Sequence, residues 1–333
     1  MLLQPAIIAL LIGSALICLV AVVAAVAGLT VLAGWDPERS DHRQLARERR
    51  ALLVEASSKV VLGCQLVSLF LFLALAEHLH TLFTGAMCAA GSLNASPLGY
   101  PTLLVKLAVF LACGLWLIAH RSALRVAGLG MARLKYLSLL GLAALLTAEN
   151  VLQARYFTDL DPEIITSCCA TVFAASEPGL VRDLTALPFA ESRLLLPMAL
   201  ALTVGAGARS LKARGSTAMF SLLALALGAI SIHALISWVA PAFYQLPTHH
   251  CPFCLLSADY GYVGFGLYLS LAIGVVAGCG SGLVRALRRL DPAGQITCSS
   301  ERRLCATSLA GFITFFLIAM WPLVGTYLRL AVF

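Results

Sequence analysis

The sequence is short of charge. Asp, Glu, Lys and Arg make up only 12 % of its 333 residues, against roughly 25 % in an ordinary soluble domain. That deficit excludes a water-facing surface over most of the chain. A basic stripe and a base-stacking motif are also missing beside the net charge of +7, which argues against nucleic acid as a partner. Internal repeats and low-complexity segments are lacking as well. What is present instead is apolar sequence: 60 % of residues are hydrophobic and the mean hydropathy is +0.93. Eight stretches approach the roughly 20 apolar residues that a helix needs to cross a bilayer. The expected fold is an all-α integral membrane protein, a single helical membrane domain in contact with lipid.

The spans are expected at about 5–35, 60–83, 102–119, 136–153, 194–208, 217–240, 255–284 and 305–328. The first has no basic residue before it and is too long for a signal-peptide core, so it reads as a retained anchor. Basic and non-basic loops alternate. Arg39, Arg43, Arg47, Arg49, Arg50 and Lys59 follow span one, and Arg121, Arg125, Arg133 and Lys135 follow span three. Arg209, Lys212 and Arg214 follow span five, and Arg285, Arg288, Arg289, Arg302 and Arg303 follow span seven. The loops 84–101 and 241–254 carry no Lys or Arg, and the long loop 154–192 is acidic. Lys and Arg in short loops stay cytoplasmic, so both termini are expected outside the cytoplasm. The setting that fits is the bacterial inner (plasma) membrane with an extracytoplasmic working face.

Of eleven cysteines, Cys18, Cys64, Cys113 and Cys279 fall in spans, and Cys298 and Cys305 on the cytoplasmic side. The other five, Cys88, Cys168, Cys169, Cys251 and Cys254, fall in outer loops or at outer span ends. The sharpest motif is His249-His250-Cys251-Pro252-Phe253-Cys254. If span seven begins near Cys254, free N–H groups and the positive helix end favour thiolate over thiol, and thiolate is the reactive form. The spacing admits thiol–disulfide exchange, a metal site using His249, His250, Cys251 and Cys254, or a structural disulfide. Neighbouring Cys168 and Cys169 are poorly placed to bridge each other, because bridged Cα atoms stand about 4.4–6.8 Å apart. One of them is expected to pair with Cys88, leaving the other as a resolving thiol or ligand.

The polar residues inside the spans also cluster at one level. Glu77, His78 and His80 close span two, Lys106 lies near the outer end of span three, and Glu149 and Asn150 near that of span four. His233 sits about two turns into span six from outside, and Asp259 a turn below Cys254. Any one of these can snorkel to water. Together they suggest an outward-opening pocket, with His78, His80, Lys106, Glu149 and Asp259 as candidate cofactor-binding residues and Lys106 ion-paired with Glu149. The inner halves of the spans hold no comparable groups, which disfavours a transport path.

The segment Cys251-Pro252-Phe253-Cys254-Leu255-Leu256-Ser257 resembles the active-site helix of the vitamin K epoxide reductase family, and is similar, less closely, to the Cys-x-x-Cys of DsbB-type thiol–quinone oxidoreductases. The resemblance implies that Cys251 and Cys254 face a quinone at the outer membrane surface. It further implies that Cys88 with Cys168 or Cys169 shuttles electrons from a thioredoxin-fold extracytoplasmic partner. No thioredoxin domain is fused to this chain, and its eight spans exceed the four-helix core of those families. Three functions therefore stand side by side: thiol–disulfide electron transfer to a quinone; handling of Cu, Zn or haem iron by the same Cys/His set, since thiolate with imidazole suits such ions; and a structural membrane subunit with disulfide-stapled outer loops.

Overall fold

The computed structural model describes residues 3–34, 42–122, 129–161, 163–166, 189–212, 216–247, 249–291, 296 and 298–331. Among the described residues there is no β-strand; the elements are helices and turns. They are α1 (Pro5–Ala33), α2 (His42–Leu79), α3 (Ala89–Asn94), α4 (Gly99–Ser122), α5 (Leu129–Thr158), α6 (Phe189–Leu211), α7 (Thr217–Ala234), α8 (Ala240–Tyr244), α9 (Val263–Arg289) and α10 (Cys298–Ala331). Among the described residues, eight helical stretches are long and apolar enough to cross a membrane, with α7 and α8 counted as one run, Thr217–Tyr244. They mark an integral membrane protein. On α1, Leu16, Leu19 and Val23 are each more than half exposed; lipid, which unlike water welcomes apolar side chains, accounts for such a face.

Helices outrun the expected spans. α2 begins at His42, so most of the basic stretch 36–59 is helical and not a loop. Arg, Gln, Leu, Ala and Glu dominate that stretch and are all good helix formers, so the helix continues past the apolar window. The opposite correction applies to span seven. Its helix starts at Val263, not near Cys254. Between them lie two short 3-10 turns, Phe253–Leu256 and Ala258–Tyr260, closed by Gly261 and Tyr262 in the left-handed region, at φ 61° and 57°. Cys251 thus precedes a 3-10 turn and Cys254 lies within it, and neither gains from the dipole of a long helix.

The chain divides into two compact units. The first comprises Met1–Leu75, Ser96–Asp161 and Leu287–Ile296; the second comprises Ala76–Ala95, Pro162–Ala286 and Thr297–Phe333. In the first, Ala24, Ala25, Leu62, Val109, Trp116 and Leu146 form the apolar core. Within it lies an ion pair. Lys106 Nζ donates to Glu149 Oε1 and to Ser68 Oγ at 3.0 Å, and Gln65 Nε2 donates to Glu149 Oε2 at 2.6 Å. The ammonium also stands 5.3 Å from the centroid of the Phe72 ring. At 1 % and 2 % side-chain exposure, neither charge reaches solvent.

In the second unit, Leu227, Leu235, Trp238, Leu267, Phe312 and Phe315 build the core. The ladder of α7 widens to π geometry over Leu235–Val239. Pro241 has no N–H to return to the Ser237 carbonyl, a local loss of the kind that π-bulges and kinks absorb. Gln245, at φ 56°, then ends α8 and turns the chain toward the cysteine motif.

A buried pair broken on one side leaves an uncompensated charge, which costs about 3–5 kcal/mol. Lys106→Met alone should therefore lower the unfolding midpoint in detergent far more than Lys106→Met combined with Glu149→Gln, which keeps the hydrogen bond to Gln65. Equal losses in the two variants would refute a charge-paired core.

Candidate functional site

Within the second unit the sulfurs of Cys88, Cys251 and Cys254 converge, all within 4.8 Å of one another. Cys88 Sγ is 3.7 Å from Cys251 Sγ, a contact distance well beyond the S–S bond of about 2.05 Å. Cys88 and Cys251 are buried and Cys254 is half-buried. Ala90 and Phe253 pack around them.

Cys88 reaches this point because the chain after α2 folds back. His80–Leu82 forms a 3-10 turn, Gly85 takes φ 86°, and Cys88 becomes the N-cap of α3. Its thiol does not cap the helix; the carboxylate of Glu77 does so in its place. Glu77 Oε2 accepts from Ala89 N at 2.7 Å, and His80 Nδ1 stands 3.7 Å from Glu77 Oε1. The last turn of α2 is thereby tied to the residue after Cys88.

The other two cysteines are held through their backbone. Tyr244 Oη donates to the Cys251 carbonyl at 2.6 Å, and Tyr268 Oη donates to the Pro252 carbonyl at 2.6 Å. Ser257 N closes the turn onto the Cys254 carbonyl at 3.1 Å. The start of α9 presses on this turn: a Cβ at Gly264 would lie 2.9 Å from the Leu255 carbonyl oxygen, so only glycine fits there unmoved.

Two imidazoles flank the motif and do different things. His249 Nε2 is 3.3 Å from Cys254 Sγ, and its ring meets Tyr244 edge-on at 4.9 Å. Burial holds the His249 imidazole below its usual range, the nearby Cys88 sulfur opposing that shift only in part. His250 Nδ1 lies 3.0 Å from the Ile236 carbonyl. A carbonyl only accepts, so Nδ1 carries the proton and His250 is anchored to the π segment. Burial also raises the Tyr260 phenol, with the Cys254 sulfur adding to the effect. That ring lies 4.6 Å from Tyr244.

His78 and Asp259 are exposed; His78 faces outward on α2, and Asp259 sits on the turn before α9 instead of inside a span. His80 is half-buried beside Glu77. Lys106 and Glu149 meet as expected but belong to the first unit. Cys168 and Cys169 lie outside the described residues. The segment leading to them is described, however: Thr166 N donates to the Thr84 carbonyl at 3.0 Å, four residues before Cys88. Sequence reasoning missed Tyr244 and Tyr268 as supports of the cysteine turn and Glu77 as the cap of α3. Tyrosines at outer span ends read as membrane-interface anchors, which masks a second use.

No protein-family model matches the chain, and neither a curated protein nor a solved structure matches it.

Loss of an N-cap acceptor costs about 0.5–2 kcal/mol. Glu77→Ala should free the turn at Cys88, so that a maleimide reagent alkylates the reduced Cys88 several-fold faster than in the parent protein, by mass spectrometry of labelled peptides. An unchanged rate would show that Glu77 does not hold this turn.

Proposed function

We propose that this membrane protein transfers electron pairs between an extracytoplasmic thiol–disulfide partner of thioredoxin fold and a membrane quinone. The observation that carries the reading is the mutual approach of Cys88, Cys251 and Cys254, since disulfide exchange requires an attacking thiolate in contact with a disulfide sulfur. The likeness of residues 251–257 to the vitamin K epoxide reductase and DsbB-type motifs supplies the quinone.

The exchange balances as follows. With Cys251 and Cys254 disulfide-bonded, the Cys88 thiolate attacks Cys251 Sγ. The Cys251–Cys254 bond breaks, a Cys88–Cys251 bond forms, and Cys254 leaves as thiolate beside His249 Nε2. A second thiolate, from Cys168 or Cys169, then attacks Cys88 Sγ and releases Cys251. Thr166 supports that assignment, because it is bonded to Thr84 and the two or three further residues span at most about 7–11 Å. The reduced Cys251 and Cys254 return two electrons and two protons to the quinone, giving quinol and their own disulfide.

The alternation of basic loops supports a site facing away from the cytoplasm, with both termini on the same side. Cysteines introduced singly at the exposed positions Thr84, Met87, Gln245 or Leu246 should react with an impermeant maleimide added outside. A cysteine replacing Arg288 or Arg289 should not; labelling there from outside would reverse the orientation.

For the chemistry, the reduced protein is titrated anaerobically with a water-soluble quinone analogue while free thiols are counted. Two thiols should disappear per quinone reduced, and Cys251→Ser or Cys254→Ser should abolish the reaction. Quinone-independent thiol counts would end the electron-transfer reading.

A further inference from the structure

The same three sulfurs meet a second chemical requirement. Thiolates bound to zinc at about 2.3 Å stand about 3.8 Å apart in a tetrahedral shell, and the Cys88–Cys251 separation is 3.7 Å. His249 Nε2 lies 3.3 Å from Cys254 Sγ, and a shift of this imidazole toward the sulfurs would supply a fourth ligand. The arrangement draws on two separate chain segments, the turn before α3 and the stretch 249–254, each fixed by its own bonds. Glu77 holds the first, and Tyr244 and Tyr268 hold the second through the Cys251 and Pro252 carbonyls.

We propose that the reduced cluster binds one zinc ion through the thiolates of Cys88, Cys251 and Cys254 and the Nε2 of His249. Charge selects zinc over monovalent copper, the other thiophilic ion such donors take. Three thiolates with Zn2+ leave one net negative charge in a buried site, whereas with Cu+ they leave two, and buried charge is costly. Neutral His249 adds none. Each cysteine binds as thiolate, so loading releases up to three protons and involves no oxidant or reductant. His250, anchored to Ile236, is not a ligand. The site stands independently of the electron-transfer reading. If both hold, zinc and the disulfide exclude each other, because a bonded Cys251–Cys254 pair has no thiolates to offer, and metal occupancy locks the relay in its reduced form.

The test uses the full chain in detergent, reduced and freed of metal under anaerobic conditions, with Cys168 and Cys169 replaced by Ser. It is titrated with Zn2+ against a chromophoric zinc indicator, and separately with Co2+ to read thiolate-to-metal charge transfer. One ion per chain is expected. Cys88→Ser, Cys251→Ser and Cys254→Ser should each weaken binding at least about 100-fold and remove charge-transfer intensity, and His249→Gln should weaken it roughly 10–100-fold. His250→Gln should leave it unchanged and serves as the folded control. Protein oxidised beforehand by the quinone analogue should bind no zinc. Absence of stoichiometric binding, or binding indifferent to Cys88→Ser, overturns the proposal; so does tight binding of Cu+ with none of Zn2+. Zinc binding without quinone-dependent thiol loss sinks the electron-transfer reading and leaves this one standing, and the converse result does the reverse.

Discussion

Contact between Cys88 and Cys251, 163 positions apart in the sequence, is the constraint on which the site depends. Neither cysteine sits on a long helix. Each is delivered by a short irregular segment whose backbone is satisfied by a side chain from a neighbouring helix end: Glu77 from α2, Tyr244 from α8 and Tyr268 from α9. In a lipid environment, backbone outside regular helices is tolerated only where protein or water satisfies it. These three side chains perform that satisfaction. They also bring the sulfurs within bonding reach after small motion, because each fixes a backbone atom within one residue of its cysteine.

Two of the buried polar centres among the described residues differ in kind. The Lys106–Glu149 pair, with Gln65 and Ser68, is internally compensated and carries no cysteine. Its groups hydrogen-bond one another, which is the arrangement under which a charge can be kept in an apolar core. The cysteine cluster is instead a set of soft donors facing one another, with an imidazole at its edge. Sulfurs so arranged either exchange bonds among themselves or share a metal ion, and which of these happens depends on oxidation state. The electron-transfer function and the zinc site proposed above are two states of one geometry.

Much of the fold was legible in the sequence because the bilayer imposes a simple length and hydropathy rule. Eight apolar runs became eight membrane-length helices. Their ends were less legible: charged but helix-favouring residues prolong α2 back to His42, while Gly261 and Tyr262, both left-handed, delay α9 to Val263. The latter shift removes the helix-dipole argument for the Cys251–Cys254 pair. The sequence set Cys88 and that pair apart from the cysteines inside spans, and the Lys106–Glu149 pair was expected from matching depth. Asp259 lies outside a span because the helix begins only at Val263, and His78 is exposed because depth along a span does not say which way a side chain faces. The roles of Tyr244 and Tyr268 were invisible, since a hydroxyl that binds a backbone carbonyl across the fold leaves no local pattern.

Whether Cys88 and Cys251 are direct sulfur neighbours is tested by a two-cysteine protein without assuming any partner, quinone or metal. The nine other cysteines are replaced, the protein is kept in its membrane, mildly oxidised, and weighed intact before and after reduction. Near-complete formation of an intramolecular Cys88–Cys251 disulfide is expected, seen as a mass lower by two hydrogens that reduction restores. Two thiols that stay reduced, or that link only between molecules, would contradict it.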